Sequence, residues 1–168
     1  KQVTVFDDCD EVLEDSEMLN LLKAALNSGE KRTGSVTANT HRIVALGVSY
    51  GGQCSLHNLR RLSSCVGWIG IAPVCDSTAS PTSPNSVTNP ITVASSSWAG
   101  KRMLAFGSTS DSTVPPVDHG VPMIARGVTG SAAEATYVPC SGAHIDASHY
   151  DPARVASFLW RCQRMDLP

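Results

Sequence analysis

Ser49 stands at the centre of the run Gly47-Val48-Ser49-Tyr50-Gly51. The apolar residues 43–46 come before this run and a segment with helical spacing follows it, so the pattern predicts a strand, a sharp turn and a helix. A Cβ at Gly47 or Gly51 would collide with the neighbouring strand or helix. The turn presents the serine hydroxyl, and the Tyr50 amide lies at a helix N-terminus, where it can stabilise an oxyanion. These features predict nucleophilic chemistry at Ser49.

Two residues far along the chain have the chemistry that activates a serine. Asp111 follows the apolar segment 103–106, and His144 follows the segment 135–138. If these segments are parallel strands, their carboxyl ends meet at the edge that carries Ser49. A histidine titrates near neutral pH and can take the serine proton, and a carboxylate fixes the imidazole tautomer. We therefore predict Ser49, Asp111 and His144 as catalytic residues, with the Tyr50 N–H as an oxyanion donor.

Two other carboxylates remain alternatives for the acid. Asp118 follows two prolines in the same loop as Asp111, and Asp76 follows the preceding strand. Either side chain would also come from the carboxyl edge of the sheet.

The other histidines are each expected to have a structural role. We expect a surface position for His149, a cap or local hydrogen bond for His119, partial burial on a helix for His57, and the opposite sheet edge for His41.

The elements that position these residues alternate along the chain. Strands are predicted at 3–6, 43–46, 66–72, 103–106 and 135–138, and helices at 16–27, 51–62, 121–127 and from Pro152 onward. Residues 30–40 form a predicted loop, and the segment 75–97 is too long for a simple connection, so it is either disordered or a lid or binding loop. Alternating strands and helices predict an α/β fold, with a mostly parallel sheet and helices on both faces.

The composition predicts one globular domain over residues 1–168. Hydrophobic residues make up 42% of the 168 residues and charged residues 17%, which is typical of a chain that buries a core. A net charge of −2 without a basic run argues against nucleic-acid binding. No apolar segment approaches the roughly 20 residues of a membrane helix. We expect a monomer.

Six cysteines are many for this length: Cys9, Cys54, Cys65, Cys75, Cys140 and Cys162. None is part of a Cys-x-x-Cys pair, which argues against a zinc knuckle or a thioredoxin-type site. The even number, the low charge and the abundant Ser and Thr predict a secreted or periplasmic protein with disulfides. Buried free thiols in a cytosolic enzyme are the alternative.

From Ser49 onward the chain resembles the α/β-hydrolase superfamily, whose triad runs in the order Ser, Asp, His. Around the acid it is similar to secreted bacterial cutinase-like polyester hydrolases and lipases, in residues 71–73, 106–116 with Pro122, and 141–144. The resemblance covers residues 40–160, approximately. It implies the α/β-hydrolase fold and cleavage of a small-molecule or polymeric ester through an acyl-enzyme, without a metal or organic cofactor.

Two residues depart from the polyester hydrolases at positions that the resemblance assigns to substrate binding. Tyr50 stands where that family usually has Met, and Val74 stands where it has an aromatic clamp. Gly-x-Ser-Tyr-Gly-Gly also occurs in prolyl-oligopeptidase-like peptidases. A peptidase is therefore the alternative enzyme, and a non-catalytic hydrolase-like binding domain is the alternative outside enzymes.

The resemblance also leads us to expect an amino-terminally truncated hydrolase. In this family the second oxyanion amide follows a strand that would precede residues 3–6, so the chain is expected to lack the first strands and half of the oxyanion hole. The chain begins at Lys1 rather than Met, which fits either a removed leader or a piece of a longer protein.

Overall fold

The protein contains a parallel β-sheet, described by a computed structural model for residues 4–5, 42–76 and 89–164. Within these ranges five strands lie in the order β1-β2-β3-β4-β5, and each neighbouring pair is parallel. Their bounds are Thr4–Val5 for β1, Ile43–Val48 for β2, Cys65–Ile71 for β3, Arg102–Ser108 for β4 and Glu134–Cys140 for β5. The predicted α/β class and parallel sheet are confirmed. All carboxyl ends of the strands meet at one edge.

Helices cover both faces of the sheet. In the described part of the chain, α1 spans Tyr50–Arg61, α2 spans Gly120–Thr129 and α3 spans Pro152–Gln163. Leu56 and Leu59 of α1 and Met123 of α2 belong to one core cluster, whereas Phe158 of α3 belongs to the other. Alternate strand residues point to opposite faces, which is why neighbouring strand residues supply different clusters.

The third helix begins where the sequence predicts. Pro152 is its first residue, and the side chain of Asp151 accepts a hydrogen bond from the Arg154 N–H at 3.1 Å. A proline at this position loses no helical hydrogen bond, and the aspartate satisfies an otherwise unpaired N–H.

The long segment after β3 is partly structured. Two short 3₁₀ helices, Pro90–Thr92 and Ser95–Trp98, lie at the end of the predicted loop, the second reaching one residue beyond it, and Trp98 is buried. Residues 77–88 of that loop lie outside the described residues, as do the predicted helix at 16–27 and the predicted loop at 30–40. No helix among the described residues is long and apolar enough to cross a bilayer.

The five described cysteines are free thiols, contrary to the predicted disulfides. Cys65 and Cys162 lie in core clusters on opposite faces of the sheet, and Cys75 is also buried. Burial raises the pKa of the Cys162 thiol to about 12 and raises that of Cys75 further. These thiols therefore stay protonated and pack as small apolar groups. Cys9 lies outside the described residues.

Candidate active site

Ser49 occupies a strained turn between β2 and α1. Its backbone has φ 50° and ψ −116°, a region that side-chain-bearing residues rarely adopt. The chain reverses within a very small space, because a Cβ on Gly47 would lie 2.1 Å from the Gly51 carbonyl oxygen and 2.5 Å from Ser55 Oγ. We call residues 47–52 the nucleophile turn.

Backbone hydrogen bonds from β3 and beyond hold this turn in place. The Ser49 N–H donates to the Ile71 carbonyl at 2.9 Å, and the Ser49 carbonyl accepts from the Val74 N–H at 2.8 Å. A Cβ on Gly52 would lie 2.5 Å from Pro73 Cβ, so α1 also approaches the chain beyond β3 as closely as sterics allow. The serine is thus fixed from two sides.

Asp111 lies on the loop after β4, residues 109–119, which we call the acid loop. Asp111 is 2% exposed, and its Oδ1 accepts hydrogen bonds from the N–H groups of Thr113 and Val114 at 2.9 and 2.8 Å. These bonds form an Asx turn, a pattern that aspartate favours. They orient the carboxylate so that its second oxygen is available to another group.

His144 lies on the loop after β5, residues 141–149, which we call the histidine loop. Its Nδ1 is 2.7 Å from Asp111 Oδ2, and its Nε2 is 2.9 Å from Ser49 Oγ. The His144 side chain is 18% exposed, so the ring can be reached from solvent. The structure therefore brings the three predicted catalytic side chains into one hydrogen-bonded chain, the arrangement in which a histidine can take a proton from serine.

Tyr50 is the first residue of α1, immediately after Ser49. The N–H of a first helical residue has no acceptor within its own helix, so it is placed to donate to an oxyanion formed at Ser49. The tyrosine is half-buried, and its hydroxyl is buried without a hydrogen-bond partner among the described residues. The expected second oxyanion donor would follow a strand that precedes residues 3–6, and it lies outside the described residues.

The alternative acids lie elsewhere. Asp118 is exposed, and Asp76 accepts a hydrogen bond from Asn89 Nδ2 at 2.7 Å. The carboxylate at hydrogen-bonding distance from the His144 ring is that of Asp111.

Two of the other histidines differ from their predicted roles. His149 is 0% exposed rather than on the surface, because the 3₁₀ helix Ala147–His149 turns its ring into the interior. His119 forms no side-chain cap on α2; its Nδ1 instead accepts from the backbone N–H groups of Cys75 and Asp76. His57 is buried on α1, and His41 lies outside the described residues.

The side chain of Val74 is buried beside the nucleophile turn. The residue is 1% exposed, and its contribution near Ser49 is the N–H that bonds to the Ser49 carbonyl. The predicted substrate contact at Val74 stays a prediction, and among the described residues the buried side chain offers no surface for it.

Sequence reasoning missed two features of the histidine loop. Ile145, beside His144, has φ 56° and is 38% exposed, although a β-branched residue is an outlier in this region. The Asp146 side chain accepts from the Ser148 N–H at 2.9 Å. The Asp-x-Ser pattern is a detectable turn signal, whereas nothing in the sequence signals the φ of Ile145.

No protein-family model and no curated protein matches the sequence. Solved structures do match. An acylaminoacyl peptidase from Pyrococcus horikoshii shares 18% identity over 76% of this chain and 25% of its own, with a TM-score of 0.53. A sugar hydrolase from Lactococcus lactis shares 14% identity over 74% of this chain and 57% of its own, with a TM-score of 0.52. A lipase/esterase from Lactobacillus plantarum shares 20% identity over 71% of this chain and 56% of its own, with a TM-score of 0.50.

The chain has the α/β-hydrolase fold. At these identities the likeness concerns the fold alone, and the three proteins are named for three different substrate classes. The chain spans between 25% and 57% of their lengths.

Proposed function

We propose that this chain carries the catalytic residues of a serine hydrolase that cleaves carboxylic esters through an acyl-enzyme. The observation that supports the proposal is the hydrogen-bonded chain from Ser49 Oγ through both ring nitrogens of His144 to Asp111. A strained serine at the tip of a strand-to-helix turn adds to this, because such strain persists chiefly at functional sites.

In the acylation step Ser49 Oγ attacks the ester carbonyl while His144 Nε2 takes the hydroxyl proton. The carbonyl oxygen becomes an oxyanion, which the Tyr50 N–H and the N-terminus of α1 stabilise. Asp111, whose other oxygen is held by two backbone N–H groups, stabilises the imidazolium and keeps the proton on Nδ1.

The tetrahedral intermediate then collapses. The bond to the alcohol oxygen breaks, and the alcohol leaves with the proton from His144 Nε2. In the second half-reaction His144 Nε2 takes a proton from water, and the resulting hydroxide attacks the acyl carbon. The bond from the acyl carbon to Ser49 Oγ then breaks, His144 returns the proton to Ser49 Oγ, and the carboxylic acid is released. Ester and water are consumed, alcohol and acid are formed, and no redox change occurs.

The substrate class within this proposal is an ester with apolar character. Ile145 exposes apolar surface directly beside His144, and Tyr50 is only half-buried beside Ser49. An apolar acyl or alcohol group can remove such surface from water. A cutinase-like polyester hydrolase is one form of this proposal, although the buried Val74 provides no aromatic clamp.

The test compares Ser49→Ala with wild type in turnover of a short p-nitrophenyl ester by the full-length protein. We expect kcat to fall by about 10⁴-fold or more, because the nucleophile is removed. Ser96→Ala, at an exposed serine of the Ser95–Trp98 helix, is the matched control and should keep full activity. Unchanged turnover in Ser49→Ala would refute the proposal.

A peptide substrate and a covalent probe separate the alternatives. The Gly-Val-Ser-Tyr-Gly-Gly motif favours the peptidase alternative. A peptidase would cleave a peptide anilide faster than an ester with the same acyl group. A non-catalytic binding domain predicts that a fluorophosphonate probe fails to label Ser49, since only an activated serine reacts.

A further inference from the structure

His119 is a buried imidazole that the catalytic scheme does not use. It is 1% exposed and lies at the end of the acid loop, directly before α2. Its Nδ1 accepts two backbone hydrogen bonds, from the Cys75 N–H at 3.3 Å and from the Asp76 N–H at 3.1 Å. The partners are more than 40 residues away in the chain, so these contacts depend on the fold and are not a local turn.

The segment that His119 binds also holds the nucleophile. Residues 74–76 offer three successive N–H groups. The first, from Val74, donates to the Ser49 carbonyl at 2.8 Å, and the next two donate to His119. One short segment therefore links the nucleophile turn to the loop that carries Asp111.

The contacts require an unprotonated Nδ1. A nitrogen that accepts two N–H groups cannot carry a hydrogen itself, so the neutral ring has its hydrogen on Nε2. Burial lowers the pKa of His119, although the charges of Asp118, Asp76 and Asp111 act in the opposite direction. The ring therefore stays neutral at neutral pH and keeps its acceptor.

We propose that His119 is a positioning residue, which sets the separation between the nucleophile turn and the acid loop and so aligns Ser49 with His144 and Asp111. It touches no reacting atom and acts through residues 74–76. This role rests on the proposed function, since alignment has a catalytic consequence only if Ser49 is the nucleophile.

The proposed role requires only a hydrogen-bond acceptor at the position of His119 Nδ1. The test therefore separates loss of this acceptor from loss of side-chain volume. His119→Asn places an amide oxygen where Nδ1 stands, because both atoms are bonded to Cγ, and it can accept the same two N–H groups. His119→Leu fills similar space and accepts nothing. In full-length protein we expect His119→Leu to lower kcat about tenfold or more with KM nearly unchanged, because a small misalignment suffices. We expect His119→Asn to retain kcat within about threefold.

A second measurement does not need a substrate. We expect the proton between His144 Nδ1 and Asp111 Oδ2, atoms 2.7 Å apart, to give a downfield NMR resonance. This resonance should shift or vanish in His119→Leu and persist in His119→Asn. Phe158→Leu, in the core on the other sheet face, is the stability control; it should lower the melting temperature and leave both readouts intact.

Three results would overturn the proposal: wild-type kcat and resonance in His119→Leu, equal losses in the Asn and Leu variants, or the same losses in Phe158→Leu. If wild type neither hydrolyses esters nor reacts with a fluorophosphonate, the proposed function fails, and the resonance still decides whether His119 aligns the three side chains.

Discussion

Ser49 and His144 lie 2.9 Å apart, yet their segments are held in different ways. The nucleophile turn is fixed by close packing against backbone, because a Cβ at Gly47 would lie 2.1 Å from the Gly51 carbonyl oxygen. In the histidine loop a Cβ at Gly142 would also meet an atom at 2.5 Å, but this atom is Cγ of the exposed Asp146 side chain. Most residues of the histidine loop, 141–149, are instead exposed or half-buried.

Polar contacts and turns shape the histidine loop. Asp146 accepts from the Ser148 N–H, the Ser148 hydroxyl donates to the Ser141 carbonyl, and Gly142 has φ 89°. Close packing resists any added atom, whereas a loop held by exposed hydrogen bonds can shift by small amounts. We therefore expect the position of Ser49 to be fixed and that of His144 to shift by small amounts.

The largest expected effect is that of a substitution in the nucleophile turn. Gly47→Ala places a methyl group 2.1 Å from the Gly51 carbonyl oxygen, a backbone atom that cannot move without opening the turn. We expect a loss of about 3 kcal/mol or more of unfolding free energy, or no folded protein. Urea unfolding followed by circular dichroism measures it.

Gly100→Ala is the control for this substitution. Gly100 has φ 70° but no atom within 4 Å of a built Cβ, so only backbone strain, about 1–2 kcal/mol, is expected. Equal losses of unfolding free energy in Gly47→Ala and Gly100→Ala would mean that close packing does not hold the nucleophile turn.

An intermediate effect is expected in the histidine loop. Asp146→Ala removes the acceptor of the Ser148 N–H, and the loop should loosen without unfolding the domain. We expect kcat to fall about two- to fivefold, with faster amide exchange confined to residues 141–149. Asp146→Asn keeps an acceptor and should behave as wild type. A global loss of stability in Asp146→Ala would contradict a locally held loop.

The smallest effect concerns the elements that flank the histidine loop. Glu134, at the start of β5, accepts hydrogen bonds from Arg102 at 2.7 Å and from Arg161 of α3 at 2.8 and 2.6 Å. Burial raises the pKa of Glu134, but the hydrogen bonds from Arg161 and Arg102 outweigh burial and hold this pKa below its ordinary value of 4.5.

A carboxyl with a lowered folded-state pKa adds stability above its unfolded-state pKa, and this stability is lost as the pH falls. Wild type should therefore lose the Glu134 contribution below pH 4.5, whereas Glu134→Gln has none to lose. Urea midpoints at pH 7 and at about pH 3.5 measure the difference between the two proteins. An equal drop in both would exclude a role for this cluster in acid stability.

Much of the architecture follows from local sequence. Four strands lie within a few residues of their predicted bounds, at 43–48, 65–71, 102–108 and 134–140. The starts of α1, α2 and α3 also lie within a few residues of the predicted ones. Strand and helix periodicity, the glycines around Ser49 and the Asp-Pro start of α3 act through neighbours in the chain, so they can be read without the fold.

The sequence by itself therefore determined the strand-to-helix turn, the parallel sheet and the edge to which Asp111 and His144 belong. Only the tertiary structure decided how close their side chains come to Ser49, because distances between segments depend on how sheet, helices and loops pack together. The same reason explains the burial of His149 and the long-range contacts of His119. It also explains the free cysteines, since Cys65 of β3 and Cys162 of α3 lie in core clusters on opposite faces of the sheet, which their positions in the sequence do not show.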